Sequence, residues 1–208
     1  MKSAVIYVHG KGGSASESEH YRPLFPKSDV IGFDYSSNTP WEAESEFYGY
    51  FSALSGEYDT VVLVANSIGA FFSMSAGIDR LISRAYFISP VVDMEKLITD
   101  MIAAAGATED ELEEKGVIRT GFGEDLSWRY LTYVRSHPVV WNAPTDILFG
   151  ENDRLVSYDS VSGFASAHGS RLTVMPGGAH WFASDAQMRF LDEWIRNGEN
   201  GKRRQIIR

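Results

Sequence analysis

The sequence predicts an α/β fold, a three-layer α/β/α sandwich around a mostly parallel sheet of about six strands. Short apolar runs rich in β-branched residues alternate along the chain with longer segments of helical pattern. The strand segments are continuously apolar rather than alternating, which indicates that helices cover both faces of the sheet. At 208 residues, 44% of them hydrophobic, the chain has the size of a single domain with a sizeable core.

Each predicted strand is a short apolar run that ends at a turn signal. The first ends at a glycine-rich loop and the fourth is closed by Pro90. The predicted strands are residues 4–8 (AVIYV), 30–33 (VIGF), 60–65 (TVVLVA), 85–89 (AYFIS), 145–150 (TDILFG) and 171–175 (RLTVM).

The predicted helices fill the segments between the strands, at residues 41–54, 67–77, 94–105, 108–115, 157–168 and 184–196. Residues 93–141 fall outside the alternation of strand and helix, and we predict a helical cap inserted into one domain spanning 1–208. The end of the chain, 198–208, carries Lys202-Arg203-Arg204 after a Gly/Asn-rich stretch and is predicted to be a flexible tail.

Composition excludes several classes of partner. The net charge of −9 disfavours nucleic acid, because phosphates would be repelled. No apolar run approaches the ~20 residues needed to span a bilayer, and the run near the N-terminus is short for a signal peptide. The chain has no cysteine, which excludes disulfides and thiolate metal sites and fits a cytoplasmic location. The sequence leaves the oligomeric state open.

A serine stands between a buried strand and a helix in VVLVANSIGAFF, residues 61–72. A strand, then small-x-Ser-x-Gly, then a helix is the pattern of a nucleophile elbow, in which a strained turn exposes the serine. Ala65 and Gly69 supply the small residues on either side of Ser67. The alternative is that Ser67 only caps the helix, which is a common role of serine.

A nucleophilic serine needs a base and an acid that orients the base. Among the histidines, His180 lies in a loop (GGAHWF) between the last strand and the last helix, and we predict that it is the base. Asp153 follows the fifth strand in GENDRLV, in the chain order serine, acid, histidine. Asp93, just past the fourth strand, is the rival acid, although it can instead cap the helix that begins at Met94.

The loop after the first strand, HGKGG, is predicted to supply part of an oxyanion hole. The backbone N–H of Ile68 is one predicted donor, and the N–H of Lys11 is the second, with Gly12 as the alternative. Glycines allow the backbone to approach a ligand closely. The loop matches neither GxxxxGK[ST] nor GxGxxG, so a nucleotide site is disfavoured.

Taken together, the HGxGG-like loop, the elbow at Ser67, the loop carrying Asp153 and the GGxH loop at His180 resemble the α/β-hydrolase superfamily, in particular its small serine esterases and lipase-like members. The resemblance covers nearly the whole chain. It implies hydrolysis of a carboxylic ester or related acyl bond through a Ser-His-Asp triad and an acyl-enzyme, with no cofactor and no metal. Two departures stand out: Ala65 replaces the usual first glycine of the elbow, and the family's opening antiparallel strands are expected to be missing.

The resemblance also suggests a small-molecule acyl substrate. An insertion after a strand's carboxyl end resembles a cap, and on that view Trp128 and Trp181 line the substrate pocket. The alternative for the aromatic residues of the cap is that they form contacts within its own core. Two other functions remain open at this point: a thioesterase or amidase of the same fold, and a hydrolase-like protein that only binds a small ligand.

Overall fold

The structure is a computed structural model, and it describes residues 2–121, 123–199 and 201. The chain divides into two compact units, one formed by Asp93–Val139 and the other by the remaining described residues. The unit at Asp93–Val139 lies within the segment 93–141, for which the role of a cap stays a prediction. None of the described helices is both long and apolar enough to cross a membrane.

The larger unit contains a six-stranded sheet in which every neighbouring pair is parallel. The strand order is β2-β1-β3-β4-β7-β8. The strands of the described chain, including the hairpin pair β5 and β6 of the smaller unit, are β1 (Ser3–Val8), β2 (Asp29–Phe33), β3 (Thr60–Asn66), β4 (Arg84–Ile88), β5 (Val117–Arg119), β6 (Asp125–Ser127), β7 (Thr145–Gly150) and β8 (Arg171–Met175). All six predicted strands are present, with ends that differ by one residue at most.

The predicted helices are also present. The α-helices of the described chain are α1 (Pro40–Ser55), α2 (Ile68–Ser75), α3 (Met94–Ala104), α4 (Glu109–Lys115), α5 (Trp128–Ser136), α6 (Tyr158–Ala167) and α7 (Asp185–Glu199). Sequence patterns did not predict α5, or the 3-10 helices at Ala15–Leu24 and Ile78–Arg80.

Helices pack on both faces of the sheet. From β1 the chain passes to β2 at one edge of the sheet, and it then crosses back to β3 and β4 on the other side of β1. Because crossovers between parallel strands are right-handed, this reversal of direction places the connecting helices on opposite faces. On one face, strand residues such as Tyr7 and Tyr86 form a buried cluster with Tyr21 and Trp194. On the other face, Phe33 packs against Phe47 of α1 at a ring-centroid distance of 5.0 Å. The three-layer arrangement predicted from continuously apolar strands is therefore confirmed.

The parallel register brings the carboxyl ends of the strands to one edge of the sheet. Val8 pairs with both Phe33 and Ala65, at the ends of β1, β2 and β3. On the far side of the sheet, Gly150 pairs with Met175. The loops that carry the predicted site residues therefore leave the sheet at this same edge.

The segment between β2 and α1 is tied to that helix by one carboxylate. Ser36 and Ser37 each donate to Glu46 through their backbone N–H, both at 2.9 Å, and through their hydroxyl groups. Burial alone would raise the pKa of Glu46, but these four hydrogen bonds outweigh it and hold the pKa below 4.5.

The last helix extends beyond its predicted end at Arg196, to Glu199. Its final turn is anchored on the sheet, because the Tyr86 hydroxyl donates to Glu199 at 2.7 Å and Gly198 packs directly against the Tyr86 ring. The predicted flexible tail at 198–208 therefore begins inside a helix. Residues 202–208, which include the basic tripeptide, lie outside the described part of the chain.

The sequence suggested that this segment is helical, but the smaller unit also contains a pair of strands. It contains α3, α4 and α5 together with an antiparallel pairing of β5 with β6. Asp93 caps α3, as its position suggested, by accepting from the Lys96 N–H at 2.9 Å. Arg135 of α5 bridges the other two helices through Glu95 and Glu109, both at 2.7 Å.

Candidate active site

Ser67 lies in a strained turn between β3 and α2. Its φ of 51° and ψ of −118° lie outside the ordinary regions for a residue with a side chain. The backbone is held by its neighbours, because its N–H donates to the carbonyl of Ile88 at 3.0 Å and its own carbonyl accepts from the N–H of Val91 at 3.1 Å. Ser67 and Ser89 are the two non-glycine residues with positive φ in the described chain. Such strain persists only where surrounding contacts enforce it, and it concentrates at functional sites.

Small residues around Ser67 allow the turn to pack against the end of β1. A Cβ added at Gly69 would lie 2.5 Å from the carbonyl oxygen of His9, so only glycine fits there. Gly10 packs against the serine itself, since a Cβ on it would lie 3.2 Å from the Cβ of Ser67. Ala65 is fully buried at the end of β3. The serine therefore stands directly beside the loop that follows β1.

Three predicted residues form a continuous row of hydrogen bonds. The Ser67 Oγ lies 2.9 Å from His180 Nε2, and His180 Nδ1 lies 2.7 Å from Asp153 Oδ2. A carboxylate can only accept, so Nδ1 carries the proton, and in a neutral imidazole this leaves Nε2 to accept from the serine hydroxyl. Ser67 is 8% exposed, His180 is 4% exposed and the Asp153 side chain is fully buried.

The loop after β7 fixes the carboxylate of Asp153 through its second oxygen. Oδ1 accepts the backbone N–H groups of Leu155 at 2.9 Å and Val156 at 3.0 Å, which leaves Oδ2 for the imidazole. Of the two predicted acids, Asp153 is thus the one bonded to His180, whereas Asp93 caps α3. The other histidines have different partners, in Gly10, Asp192, Tyr133 and Trp141.

The loops carrying Asp153 and His180 are packed backbone against backbone. A Cβ added at Gly150 would lie 2.6 Å from the carbonyl oxygen of Gly178. The carbonyl of Gly178 also accepts from the N–H of Asn152 at 2.7 Å, and the Glu151 side chain accepts from the N–H of Gly177 at 2.8 Å. The two loops therefore hold each other in place.

The loop after β1 forms a tight turn over residues 10–13. The Gly13 N–H donates to the carbonyl of Gly10 at 3.1 Å, and Gly12 has a φ of +73°, which favours glycine. Lys11 and Gly12, the two predicted sources of an oxyanion donor, are the middle residues of this turn. Ile68, the other predicted donor, is the first residue of α2, where backbone N–H groups lack a partner within the helix.

The two predicted substrate-binding tryptophans are in different units. Trp181 is 63% exposed, and its ring meets the ring of His180 edge to face at 4.8 Å. Trp128 begins α5 in the smaller unit, and its part in a pocket stays a prediction. Among the described residues, no group of three or more histidine or acidic side chains could hold a metal ion.

Sequence reasoning missed contacts that depend on register. The role of Gly10 beside the serine follows from the pairing of β1 with β3, which places the loop after β1 next to the elbow. The Glu17 side chain was also missed, although Ser14-x-x-Glu17 is a recognisable capping box.

No family model and no curated protein matches this chain. Solved structures do resemble it. Est1E from Butyrivibrio proteoclasticus has 16% sequence identity and a TM-score of 0.74, over 97% of this chain and 88% of that one. Alpha/beta hydrolase domain-containing protein 10 from mouse has 18% identity and a TM-score of 0.76, over 95% and 90% of the two chains. A monoacylglycerol lipase from Paleococcus ferrophilus has 15% identity and a TM-score of 0.62, over 93% and 94%. At these identities the likeness concerns the fold.

Proposed function

We propose that this chain, which has the α/β-hydrolase fold, is a serine hydrolase that cleaves a carboxylic ester through an acyl-enzyme. The observation that carries the proposal is the row of hydrogen bonds from Ser67 through His180 to Asp153, built on a strained turn at the carboxyl edge of the sheet. A serine used only as a helix cap would need neither the positive φ nor a buried histidine and acid behind it.

In the proposed reaction, the Ser67 Oγ attacks the carbonyl carbon of the ester while its proton passes to His180 Nε2. The negative charge on the former carbonyl oxygen is met by the N–H of Ile68 and by an N–H from the turn, at Lys11 or Gly12. When the intermediate collapses, the bond to the alcohol oxygen breaks and that oxygen takes the proton from Nε2. A water molecule then attacks the acyl carbon while Nε2 accepts its proton. The bond to the Ser67 Oγ breaks, Oγ takes the proton from Nε2, and the acid is released.

In this scheme, Asp153 stabilises the charged imidazole and fixes its tautomer. The alcohol leaves on the side of the imidazole, and the exposed Trp181 ring borders that imidazole. Trp181 is therefore in a position to contact the alcohol part of the substrate, and its contacts with an apolar or aromatic alcohol would be favourable.

The test is covalent labelling followed by turnover. Treatment with a fluorophosphonate should add one adduct to the intact mass of the wild type and none to Ser67→Ala. Ser73→Ala is a matched control, because Ser73 is also a buried serine, on α2, and its hydroxyl donates to the Gly69 carbonyl; this variant should keep the adduct. Labelling that survives Ser67→Ala would contradict the assignment.

A panel of p-nitrophenyl esters of graded chain length, with acyl-CoA thioesters and anilides beside it, then identifies the bond. Higher kcat/KM for the thioesters or anilides would move the proposal to a thioesterase or amidase. A wild type that neither labels nor turns over any of these substrates would favour a protein that only binds a small ligand.

A further inference from the structure

The turn at residues 10–13 is held at both of its ends. At its first residue, Gly10 packs against the elbow, where an added Cβ would lie 3.2 Å from the Ser67 Cβ and 3.7 Å from the Asn66 Cγ. At its last residue, Gly13 lies between two side chains, since an added Cβ would lie 2.8 Å from Glu17 Oε1 and 3.1 Å from the His9 Cβ. The middle of the turn, which carries the proposed oxyanion donor, is therefore positioned by what fixes these ends.

Glu17 connects the second end of the turn with the core of the sheet. Its Oε1 accepts from the N–H of Ser14 at 3.1 Å, just after the turn. Its Oε2 accepts from the hydroxyl of Tyr7 at 2.5 Å. Tyr7 lies on β1, is buried, and stacks on Tyr21 at a ring-centroid distance of 5.0 Å. Of the two partners of Glu17, Tyr7 is thus rigidly held by the core.

The Tyr7 hydroxyl connects Glu17 with β1. Burial raises the pKa of Tyr7, and Tyr21 and Glu17 raise it further. The hydroxyl therefore stays protonated and donates a hydrogen bond to Glu17. Asn66 directly precedes Ser67 and packs against Gly10. The second end of the turn is therefore tied to β1 through Glu17 and Tyr7, while the first end packs against Asn66 and Ser67 of the elbow.

We infer that Glu17 is a positioning residue, which holds the turn of residues 10–13 at the correct distance from Ser67 through its hydrogen bonds with Ser14 and Tyr7. The inference rests on the proposed function, because it concerns the oxyanion donor of that reaction. An oxyanion donor acts mainly in the transition state, so a displaced turn should lower kcat and leave KM nearly unchanged.

Glu17 also completes the capping box of the 3-10 helix Ala15–Leu24, and this structural role must be separated from positioning. The chain offers a matched control. Glu42 completes the same kind of box at the start of α1, where its Oε2 accepts from the N–H groups of Asn38 at 2.9 Å and Thr39 at 3.1 Å. Glu42→Gln changes a capping carboxylate in the same way, and the bonds of Glu42 involve neither Tyr7 nor the turn.

The experiment compares kcat, KM and inhibition in Glu17→Gln, Glu42→Gln and the wild type, with a p-nitrophenyl ester and a trifluoromethyl ketone as the probe of the oxyanion hole. Loss of one oxyanion donor costs about 10²–10³ in kcat, and we expect a displaced donor to cost roughly 10- to 100-fold. The inhibition constant of the ketone should rise by the same factor by which kcat/KM falls. Glu42→Gln should match the wild type in all three quantities.

Tyr7→Phe removes only the hydroxyl that donates to Glu17, and it tests the same contact should Glu17→Gln fail to fold. We expect a similar loss of kcat, and the double variant should lose no more than the worse single variant, because both changes break the same hydrogen bond. Independent, multiplying losses would overturn the inference, as would a Glu17→Gln enzyme whose kcat and ketone inhibition equal those of Glu42→Gln. A wild type that neither hydrolyses esters nor labels at Ser67 would instead refute the proposed function, and the inference with it.

Discussion

Replacing Asp153 by asparagine changes one atom at the end of the row of hydrogen bonds, and it tests which groups in that row donate and which accept. In the wild type, Oδ1 accepts two backbone N–H groups, at 2.9 and 3.0 Å, and Oδ2 accepts from His180 Nδ1 at 2.7 Å. The asparagine side chain has one oxygen and one NH₂ group for these two sides. If the oxygen faces the imidazole, the two backbone donors meet an NH₂ group and lose their acceptor.

The energies decide between the two orientations. An unsatisfied buried donor costs about 1–3 kcal/mol, so facing the NH₂ group toward the loop costs roughly 2–6 kcal/mol. The oxygen therefore stays with the loop, and the NH₂ group donates to Nδ1. The imidazole then carries its proton on Nε2, which faces Ser67 and can no longer accept the serine proton. Such a tautomer change lowers kcat by about 10⁴-fold, or about 5.4 kcal/mol at about 1.36 kcal/mol per factor of ten.

The assay measures kcat and KM of Asp153→Asn with a p-nitrophenyl ester, alongside its melting temperature. We expect a folded protein with KM little changed and kcat near 10⁻⁴ of the wild type, to within roughly a factor of ten. Asp93→Asn is the matched control, because an asparagine caps a helix about as well as an aspartate, and it should remain active. An Asp153→Asn enzyme with more than about a tenth of the wild-type kcat would refute the tautomer argument. An inactive Asp93→Asn would transfer the role of the acid to Asp93.

Three other predictions concern the base, the elbow and acid stability. The kcat/KM of the wild type should rise with pH over about pH 5–8 and then level off, because the Nε2 of His180 accepts a proton only when the imidazole is neutral. His180→Ala should remove turnover, and a flat pH profile of the wild type would argue against a histidine base. Gly69→Ala should lower the free energy of unfolding by about 1–3 kcal/mol, since the added Cβ would lie 2.5 Å from a backbone oxygen. In the same denaturant titration, Gly49→Ala, in open space on α1, should raise it by about 0.5–1 kcal/mol, and equal effects would refute the steric reason. The lowered pKa of Glu46 stabilises the fold above pH 4.5, the pKa in the absence of these contacts, and this stability is lost as pH falls through the folded pKa. The difference in melting temperature between wild type and Glu46→Gln should therefore shrink below about pH 4.5. A difference that stays constant there would contradict this explanation.

The sequence predicted those elements whose hydrophobic patterns are long enough to identify them. All six strands of the sheet contain a run of mostly apolar residues, each strand has five to seven residues, and their ends fall within one residue of the prediction. The hairpin strands β5 and β6 have three residues each, which is too short for any period to be recognised. Helix α5 was missed because WRYLTYVRS is rich in aromatic and β-branched residues, which disfavour a helix, although Ser127 caps it.

The candidate site divides in the same way. The meeting of Ser67, His180 and Asp153 could be foreseen, because residues just past parallel strands share one edge of the sheet. Their catalytic roles stay predictions for the experiments above. The contacts made by Gly10 and Glu17 could not be foreseen, because they depend on which strands are neighbours and on how closely the elbow approaches the loop after β1. Local patterns contain no information about either.

The backbone contact between Gly150 and Gly178 has a consequence for how the proposed activity would be lost. Neither loop can open without breaking the hydrogen bonds and the close packing that it shares with the other. Asp153 and His180 are then a single cooperative unit, and a population of molecules with only one of them displaced should not accumulate. During mild heating or at low denaturant concentration, the sample would be a mixture of fully competent and fully inactive molecules. The remaining activity would then report how many molecules are intact, while each intact molecule keeps its native KM.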